Sequence, residues 1–337
     1  MAMAKEGAVR PEVIIVGAGP SGLAVSACLS LRGVPSLILE RDDCVGSTWR
    51  KRTYDRLILR FTKRATALPH APHPAAAPTY LPRDDFADYL DGYASRFGVR
   101  ARLRLRREVR AARFDAVRRR WDVEAVDVGT GEAERLGAKF LVVATGTYDE
   151  KFVPEVPGIE TFPGKVVHAS EYLSAEGMKG KNVLVVGCGN SGMEIALDLA
   201  EVSHPHKMDT EPGSDMMLGF YLPIWMINKL VLLLCYLLPR VWGHVQARDQ
   251  EAGYRTLCHL RHPRFPVTDV GTYKKIKSGE IQDGGELIGD DGLLKQCNPK
   301  AENGLYYAGL SGTGIYGSSM DAEFIAADIS KQLQPEH

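Results

Sequence analysis

Two short segments, VGAGPSG at 16–22 and VGCGNSG at 186–192, constrain this chain more than anything else in it. Each has three glycines spaced as G-x-G-x-x-G, follows an aliphatic run (EVIIV, NVLVV) that reads as a strand, and opens a helical pattern. In such a turn the first glycine permits a tight exit from the strand, the second lets the backbone approach a pyrophosphate, and the third lets helix and strand pack closely. The helix N-terminus offers its unbonded N–H groups and the positive end of its dipole to the phosphates. Gly17, Gly19 and Gly22 take these roles in the first copy, and Gly187, Gly189 and Gly192 in the second. Glu40 ends the next apolar run, SLILE, 23 residues after Gly17, where an acid is placed to hydrogen-bond a ribose. One nucleotide needs one such turn, so two copies 170 residues apart predict a duplicated nucleotide fold with two dinucleotide sites. The alternative is a degenerate second copy that binds nothing.

At 337 residues the chain is long enough for two domains and a sizeable core. Lys plus Arg and Asp plus Glu are both 42, a balance that gives no support to a nucleic-acid or anionic-membrane partner. The basic run from Arg100 to Arg120 reads as a solvated strand face. The six cysteines are scattered, without a CxxC pair or metal-ligand spacing, which predicts reduced thiols in a cytoplasmic chain and no metal centre. The leader MAMAKEGAVRPE has neither the apolar core nor the cleavage site of a secretory signal. The pattern further predicts a long loop at 62–84, a helix over DDFADYLDGYASRFG, antiparallel strands in ARLRLRREV and RRRWDVEAVD, a buried strand in AKFLVVATGTY, and a C-terminal strand, glycine-rich turn and helix. The most hydrophobic stretch, 216–243, is broken by Pro223, Asn228, Lys229 and Pro239. Its unbroken apolar run, Leu230 to Leu238, falls short of the roughly 20 residues of a membrane span, so a buried or surface-lying helix is expected there, with membrane-surface association left open.

Between the two turns lies FPGKVVHASEY, with Phe162, Gly164, His168 and Tyr172. This resembles the FxGxxxHxxxY identifying sequence of class B flavin monooxygenases, which precedes their second nucleotide-binding turn. GSTW (Gly46 to Trp49) resembles that family's GGxW segment, VVATGTY its ATG linker, and GTGIYGSSMDA, with Gly314, Gly317 and Asp321, its C-terminal flavin-side turn. VLVVGCGNSGMEIALDLA, PVTDVGTYKKIKSGEIQ and the C-terminal segment are most similar to the YUCCA branch, the indole-3-pyruvate monooxygenases of plants.

The resemblance implies an α/β chain of two Rossmann-like dinucleotide-binding domains of the three-layer ββα kind. Residues 1–146 and 283–337 would form a discontinuous FAD domain, and 147–282 an NADPH domain, apparently incomplete. FAD would be held by Gly17, Ala18, Gly19, Pro20, Ser21, Gly22, Glu40, Arg41, Gly46, Thr48, Trp49, Ala144, Thr145, Gly146 and Asp321. NADPH would be held by Gly187, Cys188, Gly189, Asn190, Ser191 and Gly192. The implied reaction is the NADPH- and O2-dependent oxidative decarboxylation of indole-3-pyruvate to indole-3-acetate, a step of auxin biosynthesis. The flavin carries the chemistry, so no catalytic side chain is assigned. Two departures stand out. After LDLA the family has a strand ending in an Arg for the NADPH 2′-phosphate, where this chain has the polar HPHKMDTEPGSD, and after Gln282 the family's second ATG-type segment is absent. Weaker NADPH binding is expected. Three alternatives stay open: an N- or S-oxygenating monooxygenase, an inactive FAD-binding isoform, and, for location, the endoplasmic reticulum membrane surface instead of the cytoplasm.

Overall fold

The computed structural model describes residues 11–147, 151, 153, 158–186, 190–203, 299–310 and 314–334. All of these fall within one compact unit drawn from Met1–His204 and Thr268–His337. The stretch 216–243 and Gly187 to Gly189 lie outside the described residues.

The chain opens with β1 (Val13–Val16), α1 (Pro20–Leu31) and β2 (Ser36–Leu39). A short helix α2 (Ser47–Lys51) and an antiparallel pair, β3 (Ile58–Thr62) and β4 (Tyr80–Pro82), lead to α3 (Arg83–Arg96). The stretch read as loop at 62–84 therefore ends in a short strand, too brief to leave an alternating pattern. Then come β5 (Leu103–Arg104), a meander of β6 (Arg107–Asp115), β7 (Arg120–Asp127) and β8 (Ala133–Ala138), and β9 (Phe140–Val143). After α4 (Asn190–Ser203), the described chain resumes to give β10 (Leu305–Tyr307) and α5 (Gly314–Leu333).

Five strands form a wholly parallel sheet in the order β10-β9-β1-β2-β5. Successive side chains of a strand point to opposite faces, and both faces of this sheet are covered. Val13 and Ile15 of β1, Phe140 and Val142 of β9 and Tyr306 of β10 join a core with α1, α3 and α5. Ile14, Leu141, Val143, Leu305 and Tyr307 join a second core with Ala112, Trp121, Val123 and Ala125 of the meander. The result is the expected three layers, meander, sheet and helices. β8, whose sequence AERLGA lacks β-branched residues, is a third meander strand that the pattern does not reveal.

The strand expected just before the second glycine turn does not form. Residues 181–186 carry no strand, and Val183, Leu184 and Val186 are 48%, 86% and 83% exposed. A parallel strand needs neighbours on the same sheet, and no strand among the described residues pairs with this one. The next family strand is replaced in sequence by HPHKMDTEPGSD. The helix of that unit, α4, does form.

Trp121 fastens the meander to the sheet. It is 2% exposed, packs against Phe114 at 5.4 Å between centroids, and donates from Nε1 to the Asn303 carbonyl at 2.9 Å in the turn before β10. Trp121→Ala should destabilise the protein by about 3–5 kcal/mol, measured by urea unfolding of the flavin-free chain.

Candidate functional site

A cavity of about 300 Å3 opens at the carboxyl ends of β1, β2 and β9. Sequential connections run from β1 to β2 on one side of β1, while β9 lies on the other. The cavity therefore sits at the point where strand order reverses, the place where open α/β sheets hold ligands. Of the residues assigned to the first site from sequence, all but Ala18, Gly22 and Asp321 line it.

The three glycines of the first turn do different work. Gly17 has φ +105°, and a Cβ there would lie 2.5 Å from the Ala144 carbonyl oxygen at the end of β9. At Gly22 a Cβ would collide with the Gly17 carbonyl oxygen, so the first turn of α1 rests directly on the glycine turn. A Cβ at Gly19 would meet nothing within 4 Å, yet Gly19 lines the cavity, so its bare backbone faces open space. α1 starts with Pro20, has no side-chain cap on its Gly19 N-cap, and carries no acidic residue in its first turn. Beside the cavity that Pro20 and Ser21 line, the first turn of α1 thus has no acidic side chain of its own against its N–H groups and dipole.

Neighbouring groups grip the turn from both sides. The Ala18 N–H donates to Glu40 Oε2 at 2.6 Å, the Ala18 carbonyl accepts from the Gly46 N–H at 3.0 Å, and the Asp42 N–H donates to Glu40 Oε1 at 2.8 Å. Burial pushes the Glu40 carboxyl above its ordinary value, while these two N–H bonds pull the other way. A carboxylate has about four acceptor positions, so Glu40 keeps capacity for a hydroxyl in the cavity. Gly46 takes the left-handed region at φ +61° as N-cap of α2, with Leu90 where a Cβ would go. Sequence reasoning missed Asp42, Ser47 and Arg52. Arg52 Nη2 donates to Asp42 Oδ2 at 2.7 Å and its Nη1 to Ser47 Oγ at 3.4 Å, and both partners line the cavity. Burial works to raise the Asp42 carboxyl, but Ser47 and Arg52 hold it below the usual value.

Asp321 lies behind this wall. Its Oδ2 accepts from the N–H of Gly309, a cavity residue at φ +81°, at 2.8 Å, and Ser318 of the same helix meets Ser21 Oγ at 2.7 Å. Asp321 thus ties the end of β10 to α5, and Ser318 ties α5 to the start of α1.

Of the remaining motif residues, Tyr172 packs against α4, and His168, Phe162 and Gly164 make local contacts. Tyr172 is buried and donates to Asp198 Oδ2 at 2.6 Å, which also accepts from the Ala175 N–H at 3.0 Å, while Arg56 reaches Asp198 Oδ1 at 3.1 Å. Tyr54 Oη donates to Glu194 Oε2 at 2.6 Å, and Arg60 pairs with Glu194 Oε1. His168 Nδ1 accepts from the Ser170 N–H at 3.2 Å, and Glu171 accepts from the His168 N–H, a reciprocal cap on the turn Ala169–Glu171. The Phe162 ring lies where a Cβ on Gly164 would go. Tyr172 therefore clamps α4 and His168 caps a turn. Of the second glycine turn, Asn190, Ser191 and Gly192 open α4, whereas Gly187, Cys188 and Gly189 lie outside the described residues. Tyr54, Arg56, Arg60, Glu194 and Asp198 carry no local signal, because they meet across about 140 residues of sequence.

A parallel sheet in this order, with a glycine turn at its switch point, defines a dinucleotide-binding fold. In agreement, residues 14–209 match the family described as pyridine nucleotide-disulphide oxidoreductase. Within that class, the chain belongs to the indole-3-pyruvate monooxygenase family, the YUCCA flavin monooxygenases. It is 36% identical to the probable indole-3-pyruvate monooxygenase YUCCA9 of Arabidopsis thaliana, covering 96% of this chain and 90% of that protein. It is 38% identical to the indole-3-pyruvate monooxygenase YUCCA1 of Oryza sativa subsp. japonica, covering 96% and 92%. The first match extends over 382 positions, more than this chain's whole length of 337, so the relative carries internal residues with no counterpart here. A mutant of the flavin monooxygenase from Stenotrophomonas maltophilia shares the fold, with a TM-score of 0.64 at 17% identity over 96% of this chain and 99% of that one. No helix among the described residues is long and apolar enough to cross a membrane.

Burial raises the Asp321 carboxyl from 3.8 to about 6, against the Gly309 N–H bond that favours the charged form. Because the folded value exceeds the unfolded one, this group's contribution to stability is complete below pH 3.8 and is lost as pH rises through about 6. Asp321→Asn keeps an acceptor for Gly309 and removes that loss. At pH 7 the flavin-free variant should be more stable than the parent by about 2–3 kcal/mol, with no difference near pH 4, as read from unfolding across that range.

Proposed function

We propose that FAD binds in the cavity at the first glycine turn, that NADPH supplies the reducing equivalents, and that the product is indole-3-acetate. The observation that carries this reading is the convergence, on one cavity, of a bare Gly19 backbone, an uncapped helix N-terminus and the buried Glu40. The residues fit the group. Free N–H groups at the start of α1 would bind the pyrophosphate, with Gly19 allowing its close approach. Glu40 would accept a ribose hydroxyl. Gly46 and Trp49 would form a wall, Trp49 held by its edge-on packing against Phe86 at 4.9 Å. A fixed wall orients the ligand and excludes water. When bound, FAD supplies the hydride acceptor and the reactivity toward O2. In the net reaction, indole-3-pyruvate, O2, NADPH and a proton give indole-3-acetate, CO2, water and NADP+.

The domain assignment, 1–146 with 283–337 for FAD and 147–282 for NADPH, belongs to this reading, as do Asn190, Ser191 and Gly192 at the NADPH phosphates. So does a cytoplasmic location, which agrees with the free thiols of Cys28 and Cys44. Hydride transfer needs the two rings about 3–3.5 Å apart. The unpaired 181–186 segment and the internal residues missing relative to YUCCA9 both bear on that geometry. The expected outcome is a yellow protein that converts indole-3-pyruvate to indole-3-acetate with FAD, NADPH and O2, but whose flavin bleaches slowly under anaerobic NADPH. Absence of indole-3-acetate above a no-enzyme control, with flavin bound, would overturn this reading and leave an N- or S-oxygenating monooxygenase or the inactive FAD-binding isoform.

Gly19→Ala separates binding from folding. Its Cβ meets no protein atom, so stability of the flavin-free chain should change by less than about 1 kcal/mol. Its methyl would occupy the place of the pyrophosphate, so flavin affinity should fall at least about tenfold, by fluorescence titration. Unchanged affinity would place the flavin elsewhere.

A further inference from the structure

On the helical side of the sheet, three elements bring metal-ligating atoms together. Cys28 is fully buried in α1, Glu323 lies on α5, and His70 sits in the loop between β3 and β4. His70 Nε2 is 2.7 Å from Glu323 Oε1, and one ligand atom from each of the three residues lies within 4.8 Å of the others. We propose that Cys28, His70 and Glu323 form a binding site for a divalent cation of the zinc class, with water as the fourth ligand. Thiolate, imidazole and carboxylate together are the donor set that such borderline-soft cations take, at 2.0–2.3 Å from roughly tetrahedral positions. None of the three lines the cavity, so the site is separate from the proposed flavin site.

The surroundings hold these ligands in place. His70 is a non-glycine residue in the left-handed region, at φ +62°. Its loop is pinned on both sides: Tyr93 Oη donates to the Pro69 carbonyl at 3.1 Å, and Tyr89 Oη receives the Leu68 N–H and donates to the Ala71 carbonyl, both at 2.7 Å. A strained residue held by its neighbours is a common mark of a ligating position. Arg32 binds the other oxygen of Glu323 at 3.0 Å, fixing the carboxylate with Oε1 toward His70, as outer partners of metal ligands do. His70 and Glu323 are 46% and 39% exposed at their side chains, which leaves an entry path and room for water. The charges balance: a thiolate and a carboxylate offset the cation, with Arg32 on the far oxygen.

Binding has a chemical signature. The ligating form of cysteine is the thiolate, so the cation must displace a proton from the Cys28 sulfur. Glu323, His70, Arg32 and Tyr93 are the titratable or charged groups around it. Affinity therefore rises with pH.

The test uses the full chain without a histidine tag. Zn2+ titration by calorimetry should show saturable, stoichiometric binding, and Co2+ should give a thiolate-to-metal charge-transfer absorption. His70→Ala and Glu323→Gln alter partly exposed side chains and should each weaken Zn2+ binding at least about tenfold, while Cys28→Ser should abolish the Co2+ charge-transfer band. Cysteines elsewhere in the chain would give binding that ignores His70 and Glu323. The proposal is overturned by the absence of saturable Zn2+ binding, or by affinities and a Co2+ spectrum unchanged in His70→Ala and Glu323→Gln.

Discussion

Three backbones meet at Gly17, and the architecture follows from that approach. The exit of β1, the end of β9 at Ala144 and the first turn of α1 at Gly22 come so close that neither glycine could carry a Cβ without displacing main chain. Main chain yields far less readily than a side chain, since each strand is tied to its neighbours by ladder hydrogen bonds. The parallel sheet therefore ends in a crowded turn with bare backbone, and the cavity is the space that this turn leaves open. Glu40, Gly46 and Asp321 act on the same place: each binds a main-chain group in or beside the turn and fixes it in one position.

Much of this was legible in the sequence because the governing signals are local. A glycine triplet between an aliphatic run and a helical pattern reports a close approach of backbone to backbone, and the structure puts Gly17 and Gly22 in that relation. Alternation in RRRWDVEAVD reported a sheet with one buried face, which Trp121, Val123 and Ala125 supply. What stayed hidden depends on distant partners. Glu40 stands where a ribose ligand is expected, and its carboxylate also organises the turn through the Ala18 N–H, 22 residues away. The grip of Tyr54, Arg56 and Arg60 on α4 has no sequence signature at all. The strand expected at 181–186 shows the converse. Its residues are suited to a buried parallel strand, but a strand exists only where neighbours exist, and local propensity cannot supply them.

The chain thus joins a nucleotide-binding unit with both sheet faces covered to a second glycine turn whose helix is present and whose preceding strand is not. Its relatives carry internal residues that it lacks, and the motif residue Tyr172 joins the segment before that turn to α4. Tyr172 and Asp198 hold each other in a buried hydrogen bond, with burial and the partner carboxylate raising the phenol. Such a pair costs a good deal to open, because each group would be left desolvated and unpaired.

That arrangement gives α4 a double allegiance. By sequence it opens the second nucleotide-binding unit; by its contacts it is cemented to segments 54–60 and 172–175, with Ile195 and Leu199 in one apolar cluster with Tyr54 and Tyr172. Among the described residues, the side chains of α4 are accordingly held by partners on the N-terminal side of the chain. Local opening of α4 therefore requires breaking its bonds to segments 54–60 and 172–175. A helix that the sequence assigns to the second glycine turn thus shares its anchoring side chains with the segments that precede that turn.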